Sequence, residues 1–213
     1  MQEVINAVVI DNEIEDIIGV TTALAELGIS TLPVHYKDPT AARELCKNIS
    51  KASPRVIITD IQLRDGGKDP STTDLSNVAL CLAEIVEETK GPYVVLAWTT
   101  KPESLAALKD RVIQYFDAKG IRHPIYFDGI SKNDCSIAEK EYSAEKILEH
   151  FGAHLANQAS IRALMFWECS VLEAAIDSVN TLSSLDPSTL PQSLKSLAES
   201  VAGSNLKGFE AIA

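Results

Sequence analysis

The chain has 213 residues, 46% hydrophobic and 23% charged, with a formal net charge of -11 at pH 7. That length supports one substantial core, with or without an appendage, and the composition is that of an ordinary globular protein. An acidic chain with no basic stretch repels the phosphate backbone, so nucleic acid is not an expected partner.

The amino terminus, MQEVINAVVIDNE, lacks the basic start and apolar run of a signal peptide. Within it NAVVID is a short Val- and Ile-rich run, the pattern of a strand buried on both faces. EIEDIIGVTTALAELG follows as a helix, with Ile14, Ile17, Ile18 and Leu24 expected on its buried face and Gly28 at its C-cap. TLPVHY reads as a weaker strand whose Pro33 suits a sheet edge. DPTAARELCKNIS is a helix with Asp38 as N-cap and Pro39 at its first position. RVIITDI is a second buried run ending at Asp60, and the loop QLRDGGKDPSTTD after it is long and polar. LSNVALCLAEIVEETKG is a helix ending near Gly91, YVVLAWT a strand, KPESLAALKDRVIQYFDAKG a helix, and HPIYFDG a last strand closed by Gly129.

The alternation of five strands with helices predicts a doubly wound α/β fold with a five-stranded parallel sheet. Ligands of such sheets bind outside the carboxyl ends of the strands. The polar residues there are Asp11, Asn12 and Glu13 after the first strand, Asp60 after the third, Thr99 and Thr100 after the fourth, and Ser131 and Lys132 after the fifth. Each alone is an ordinary turn or cap residue; together they predict one rim. Clustered carboxylates without paired thiols or histidines form a hard oxygen site suited to Mg²⁺. A carboxylate beside such an ion can attack phosphorus, with a lysine and a hydroxyl contacting the phosphoryl oxygens.

AVVIDNE, RVIITDIQL, YVVLAWTT and YFDGISKND resemble, in order, the four signature segments of response-regulator receiver domains, a likeness covering roughly residues 4–150. The resemblance implies a flavodoxin-like receiver fold for residues 1–142 and a phosphorelay role. Asp60 would be the phospho-acceptor, Lys132 the phosphoryl-binding lysine and Thr99 the switch hydroxyl. Asp11, Asn12, Glu13, Asp60 and the main-chain carbonyl of Gln62 would form the Mg²⁺ site. A sensor histidine kinase or other phosphodonor and an output protein or domain would be the partners, in the cytoplasm. Enzymatic activity would extend no further than taking the phosphoryl group from a donor and losing it again.

Four departures open a second reading, a pseudo-receiver that binds a partner without phosphorylation. Asn12 stands where a second carboxylate is usual. Counted from Pro92, the switch position falls on Ala97, with Thr99 two residues later on the same strand face. Asn133 replaces a proline after Lys132, and the loop after Asp60 is long. A haloacid-dehalogenase-type phosphohydrolase fits less well, because Glu13 and Glu15 stand where DxDxT wants Asp and Thr.

Residues 143–213 form a helical extension. Ile147, Leu148, Phe151, Leu155, Leu164, Trp167, Val171, Ala175 and Val179 recur at helical spacing, and PQSLKSLAESVAG follows as a shorter helix. The stripe is expected to serve as a linker or homodimer contact. The richest apolar window, IRALMFWECSVLEAAI, is broken by Arg162, Glu168 and Glu173, so no membrane span is expected. His150 and His154 stand four apart but lack the glutamate of HExxH, and no metal is assigned to them. Cys46, Cys81, Cys135 and Cys169 are too far apart for zinc pairs, and Cys46, Cys81 and Cys169 read as small core residues of helices.

Overall fold

A computed structural model describes residues 7–26, 29–50, 53–64, 69–89, 91–138 and 141–156, together with single positions 158, 159, 161, 163, 174 and 192. Five strands, β1 (Ala7–Asp11), β2 (Thr31–His35), β3 (Val56–Thr59), β4 (Val94–Thr99) and β5 (Tyr126–Ser131), form one parallel sheet in the order β2-β1-β3-β4-β5. This is the flavodoxin-like order, with the switch point between β1 and β3. Pro33 lies in the edge strand β2, where its missing N–H interrupts no central ladder.

The strands alternate between two buried faces. Val8, Ile10, Ile57, Val95 and Ala97 pack toward α2 (Pro39–Ile49), α3 (Thr72–Val86) and α4 (Leu105–Lys119). Val9, Val56, Ile58, Val94, Leu96 and Trp98 pack toward α1 (Ile14–Glu26), the short α5 (Lys132–Cys135) and α6 (Ala144–Ala156). Helices on both faces account for the continuous apolar runs of the central strands. The caps follow the sequence: the Asp38 carboxylate accepts from the N–H groups of Thr40 and Ala41, with Pro39 beginning α2. Gly120, at φ +66°, ends α4 in the left-handed conformation that a Cβ would disfavour.

Two expectations need correction. Ile17 and Leu24 of α1 are buried, but Ile14 and Ile18 are 42% and 56% exposed. The buried arc of α1 runs instead through Asp16, Ile17, Val20, Ala23 and Leu24, and at 100° per residue positions 14 and 18 fall outside it. The last strand runs past Gly129 to Ser131, so Gly129 sits inside β5 and α5 begins directly at Lys132. Two further short strands, β6 (Ser136–Ala138) and β7 (Glu141–Tyr142), pair antiparallel before α6.

The first compact unit extends to Met165. Within it α6 places Ile147 and Phe151 in the same core cluster as Val20 and Trp98. These two members of the C-terminal stripe are spent on the sheet. Leu164, Trp167, Val171, Ala175 and Val179, the side chain of Leu155, Gly28 and Cys169 lie outside the described residues. Cys46, Cys81 and Cys135 are buried free thiols. Among the described residues no helix is long and apolar enough to cross a membrane.

If α6 belongs to the core, Phe151→Ala should destabilise the protein by about 3–5 kcal/mol, as large-to-small changes at buried aromatic sites do. Urea unfolding measures it; a loss below about 1 kcal/mol would detach α6 from the sheet.

Candidate functional site

Each site residue is delivered by the end of a strand. Asp11 is the last residue of β1 and Asp60 follows β3, where its N–H still donates to Ile10 O at 2.9 Å. Lys132 opens α5 immediately after β5. The parallel register puts Thr59 level with Ile10 and with Ala97, and Thr99 level with Ser131, so all these ends open on one rim.

At that rim a single ammonium faces three carboxylates. Lys132 Nζ lies 2.8 Å from Asp11 Oδ2, 2.5 Å from Asp16 Oδ2 and 3.6 Å from Asp60 Oδ1. Asp11 is fully buried and Asp60 is 8% exposed. Asp11 Oδ1 also accepts from the Glu13 N–H at 2.9 Å, and Asp60 Oδ1 from the Ile61 N–H at 2.8 Å, so both carboxylates are fixed by their own backbone. Three anions against one cation leave the buried cluster two positive charges short of neutrality.

Proton affinities follow. Burial pushes the Asp60 carboxyl up to about 7, with Lys132 pulling it down and Asp11 and Asp16 adding to the rise. Asp11 is likewise raised, by burial first, against the pull of Lys132. Burial disfavours the Lys132 ammonium, but Asp60, Asp11 and Asp16 outweigh it and hold the lysine above its usual range.

The structure thus brings together Asp11, Asp60 and Lys132. Asn12 and Glu13 line an adjacent cleft with His35, Lys37, Leu63 and Arg64. Asn12 presents its main-chain oxygen to His35 Nε2 at 2.9 Å. Gln62 is half-buried two residues after Asp60. Thr99 is buried, and its Oγ1 accepts from the Lys101 N–H at 3.0 Å, while Ala97 is the residue level with Thr59. Among the described residues no group of three or more His, Cys, Asp or Glu is arranged so that it could hold a metal ion by itself. Mg²⁺, which keeps several waters and needs only one or two carboxylates, fits both the oxygen donors and the charge deficit. His154 is engaged elsewhere, 2.9 Å from the Tyr126 hydroxyl.

Asp16 was not among the residues the strand-end rule selects. Its signal was nonetheless present: a carboxylate on the helical arc of Val20, Ala23 and Leu24, where a charge is retained only if paired.

Sheet order settles the architecture: the fold is doubly wound and flavodoxin-like.

No family model matches the chain, and no curated protein matches it. Among solved structures it is similar to NtrX from Brucella abortus in complex with ADP, at 18% identity and a TM-score of 0.42, over 75% of this chain and 29% of that one. It is similar to the anti-anti-sigma factor PhyR from Bartonella quintana, at 16% identity and a TM-score of 0.39, over 76% of this chain and 53% of that one. A family 3 carbohydrate esterase from Clostridium thermocellum is matched at 14% identity and a TM-score of 0.41, over 74% of this chain and 98% of that one. The chain spans under a third of the NtrX chain and about half of the PhyR chain.

The raised Asp60 gives a signed prediction. A carboxyl with higher proton affinity folded than unfolded takes up protons on folding, so its contribution to stability falls as pH rises from its ordinary 3.8 to about 7. Asp60→Asn removes that titration. Its stability relative to wild type should grow across this window to a few kcal/mol by pH 8, each tenfold in proton affinity being worth about 1.4 kcal/mol. Urea unfolding of both proteins from pH 4 to 8 reads the gap; a gap that does not vary with pH contradicts it.

Proposed function

We propose that this chain is a phosphorelay signal receiver in which Asp60 accepts a phosphoryl group and its loading state is read by a partner or output module. The observation that supports this best is the Asp60 carboxylate itself, fixed by the Ile61 N–H at the open end of the sheet with the Lys132 ammonium 3.6 Å away. An Asp60 oxygen attacks phosphorus and a new O–P bond forms. The bond to the donor's leaving group breaks, and its electron pair departs with the imidazole of a phosphohistidine or the carboxylate of an acyl phosphate. Lys132 holds the incoming phosphoryl oxygens by charge-assisted hydrogen bonds. Return of the phosphoryl group to water regenerates the carboxylate.

Asp60, Asp11 and the main-chain carbonyl of Gln62 are the residues that would hold Mg²⁺, with Glu13 and Asn12 next to them in the adjoining cleft. The ion would supply the two missing positive charges and offset those of the incoming group. Asn12 offers a neutral oxygen in place of a carboxylate, so the requirement for Mg²⁺ should be high. The partners proposed are a sensor kinase or other phosphodonor, an output module, and a second copy of the chain. Self-association would use residues after α6, since Ile147 and Phe151 are buried in the core.

One observation favours the second reading, a non-phosphorylated interaction module: Lys132 lies nearer to Asp16 and Asp11 than to Asp60. A single experiment separates the two. Incubation with phosphoramidate and Mg²⁺, read by intact mass, should label wild type on Asp60 and leave Asp60→Asn unlabelled. Asn12→Asp should lower the Mg²⁺ needed for half labelling by about tenfold, in keeping with the gain of one charged ligand. Labelling of Asn12→Asp but not of wild type at any Mg²⁺ concentration establishes the interaction module; labelling of neither rules out the acceptor.

A further inference from the structure

Asp16 sits 5% exposed on α1, with both of its oxygens engaged. Oδ2 accepts from Lys132 at 2.5 Å and Oδ1 from the Tyr142 hydroxyl at 2.8 Å. Tyr142 ends the β6–β7 hairpin, and its ring meets Trp98 edge-on with centroids 5.2 Å apart. A Cβ on Gly19, one helical turn beyond Asp16, would stand 3.0 Å from Tyr142 Cδ2, so the bare helix surface there is what lets the ring lie on α1. Lys132 and Tyr142 therefore belong to one continuous stretch, α5 through β7, and both hold the same carboxylate.

We propose that Asp16 is a positioning residue that keeps the Lys132 ammonium on the α1 side of the rim, and that loading of Asp60 draws the ammonium away and loosens Tyr142 and the β6–β7 hairpin. The proposal rests on Asp60 as the acceptor. A phosphoryl group brings nearly two further negative charges and three strong acceptor oxygens to within reach of an ammonium only 3.6 Å from Asp60 Oδ1. Lysine is a compact charge on a flexible stem, so it re-aims without moving α5. Asp16 is then left buried with one neutral donor, a costly state relieved only by hydration or by a second cation. The contact that opens to admit water is the one between α1 and the hairpin, at Tyr142. The state of the rim is thereby carried to the α1–β7 face.

Asp16→Asn keeps the shape and the Tyr142 hydrogen bond while removing the charge that competes for Lys132. Beryllofluoride with Mg²⁺ serves as the phosphoryl mimic, read by fluorine NMR. Its apparent affinity should rise about tenfold in Asp16→Asn, the worth of one charge-assisted bond. In a Trp167→Phe background, Trp98 emission should change on loading of the otherwise wild-type protein and stay constant in Tyr142→Phe. Nitrogen NMR of the Lys132 ammonium in the unloaded protein reads its placement without any acceptor chemistry, and Asp16→Asn should shift it. An unmoved ammonium resonance in folded Asp16→Asn overturns the proposal whatever Asp60 does, as does equal or weaker beryllofluoride binding. Failure of wild type and Asp16→Asn alike to bind, with the ammonium resonance moved, overturns the acceptor and the coupling but upholds the positioning role. If Asp16→Asn does not fold, Tyr142→Phe decides: it should bind beryllofluoride a few-fold more weakly, because Asp16 then rests on Lys132 alone, and unchanged binding overturns the proposal.

Discussion

Buried charge is the constraint on which the rest of this molecule depends. Lys132, Asp11, Asp16 and Asp60 are all withdrawn from water at the carboxyl end of the sheet, where an isolated ion would cost several kcal/mol. None of the four is tolerable alone. The ammonium makes the carboxylates possible and they hold it, which is why its affinity for protons rises despite burial. The balance is incomplete, and what remains is a standing demand for a proton or a cation. Asp60, at the solvent edge of the group, is where that demand is felt.

The sheet delivers this arrangement at little local expense. Central strands buried on both faces are tied by their ladders to one register, and the ends of β1, β3 and β5 then fall on one rim. The backbone aims the carboxylates, through the Glu13 and Ile61 N–H groups. α1 adds the third carboxylate from the opposite direction, and the hairpin after α5 returns Tyr142 to cover it. Preorganisation of this kind fixes the charged groups before any ligand arrives.

Much of this was legible in the residues. The Val- and Ile-rich runs around residues 7–11, 56–59 and 94–99 announce strands buried on both faces, and Pro33 marks the edge. From strand ends alone Asp11, Asp60 and Lys132 could be grouped, because a parallel sheet has only one rim for them. Asp16 was missed because the strand-end rule looks outside helices, and its oddness appears only when α1 is phased on Ile17, Val20 and Leu24. That phasing was misread by including Ile14 and Ile18, whose apolar character suggested burial while their angle placed them in solvent. Tyr142 lay beyond local reading altogether, since its partner is 126 positions away in the chain. Ala97 and Thr99 illustrate a different limit: they share a strand face, and only the pairing of Ala97 with Thr59 distinguishes their levels.

The charge account is tested most directly by taking the ammonium away. Lys132→Met keeps the length and apolar stem of the side chain and leaves three carboxylates facing one another. Urea unfolding at pH 8 should show a loss of about 3–5 kcal/mol relative to wild type, the usual cost of orphaning a buried charge. The loss should shrink steadily toward pH 5, because the unpaired carboxylates then take up protons that the folded state binds more tightly than the unfolded one. A loss below about 1 kcal/mol, or one of the same size at both pH values, would contradict the account.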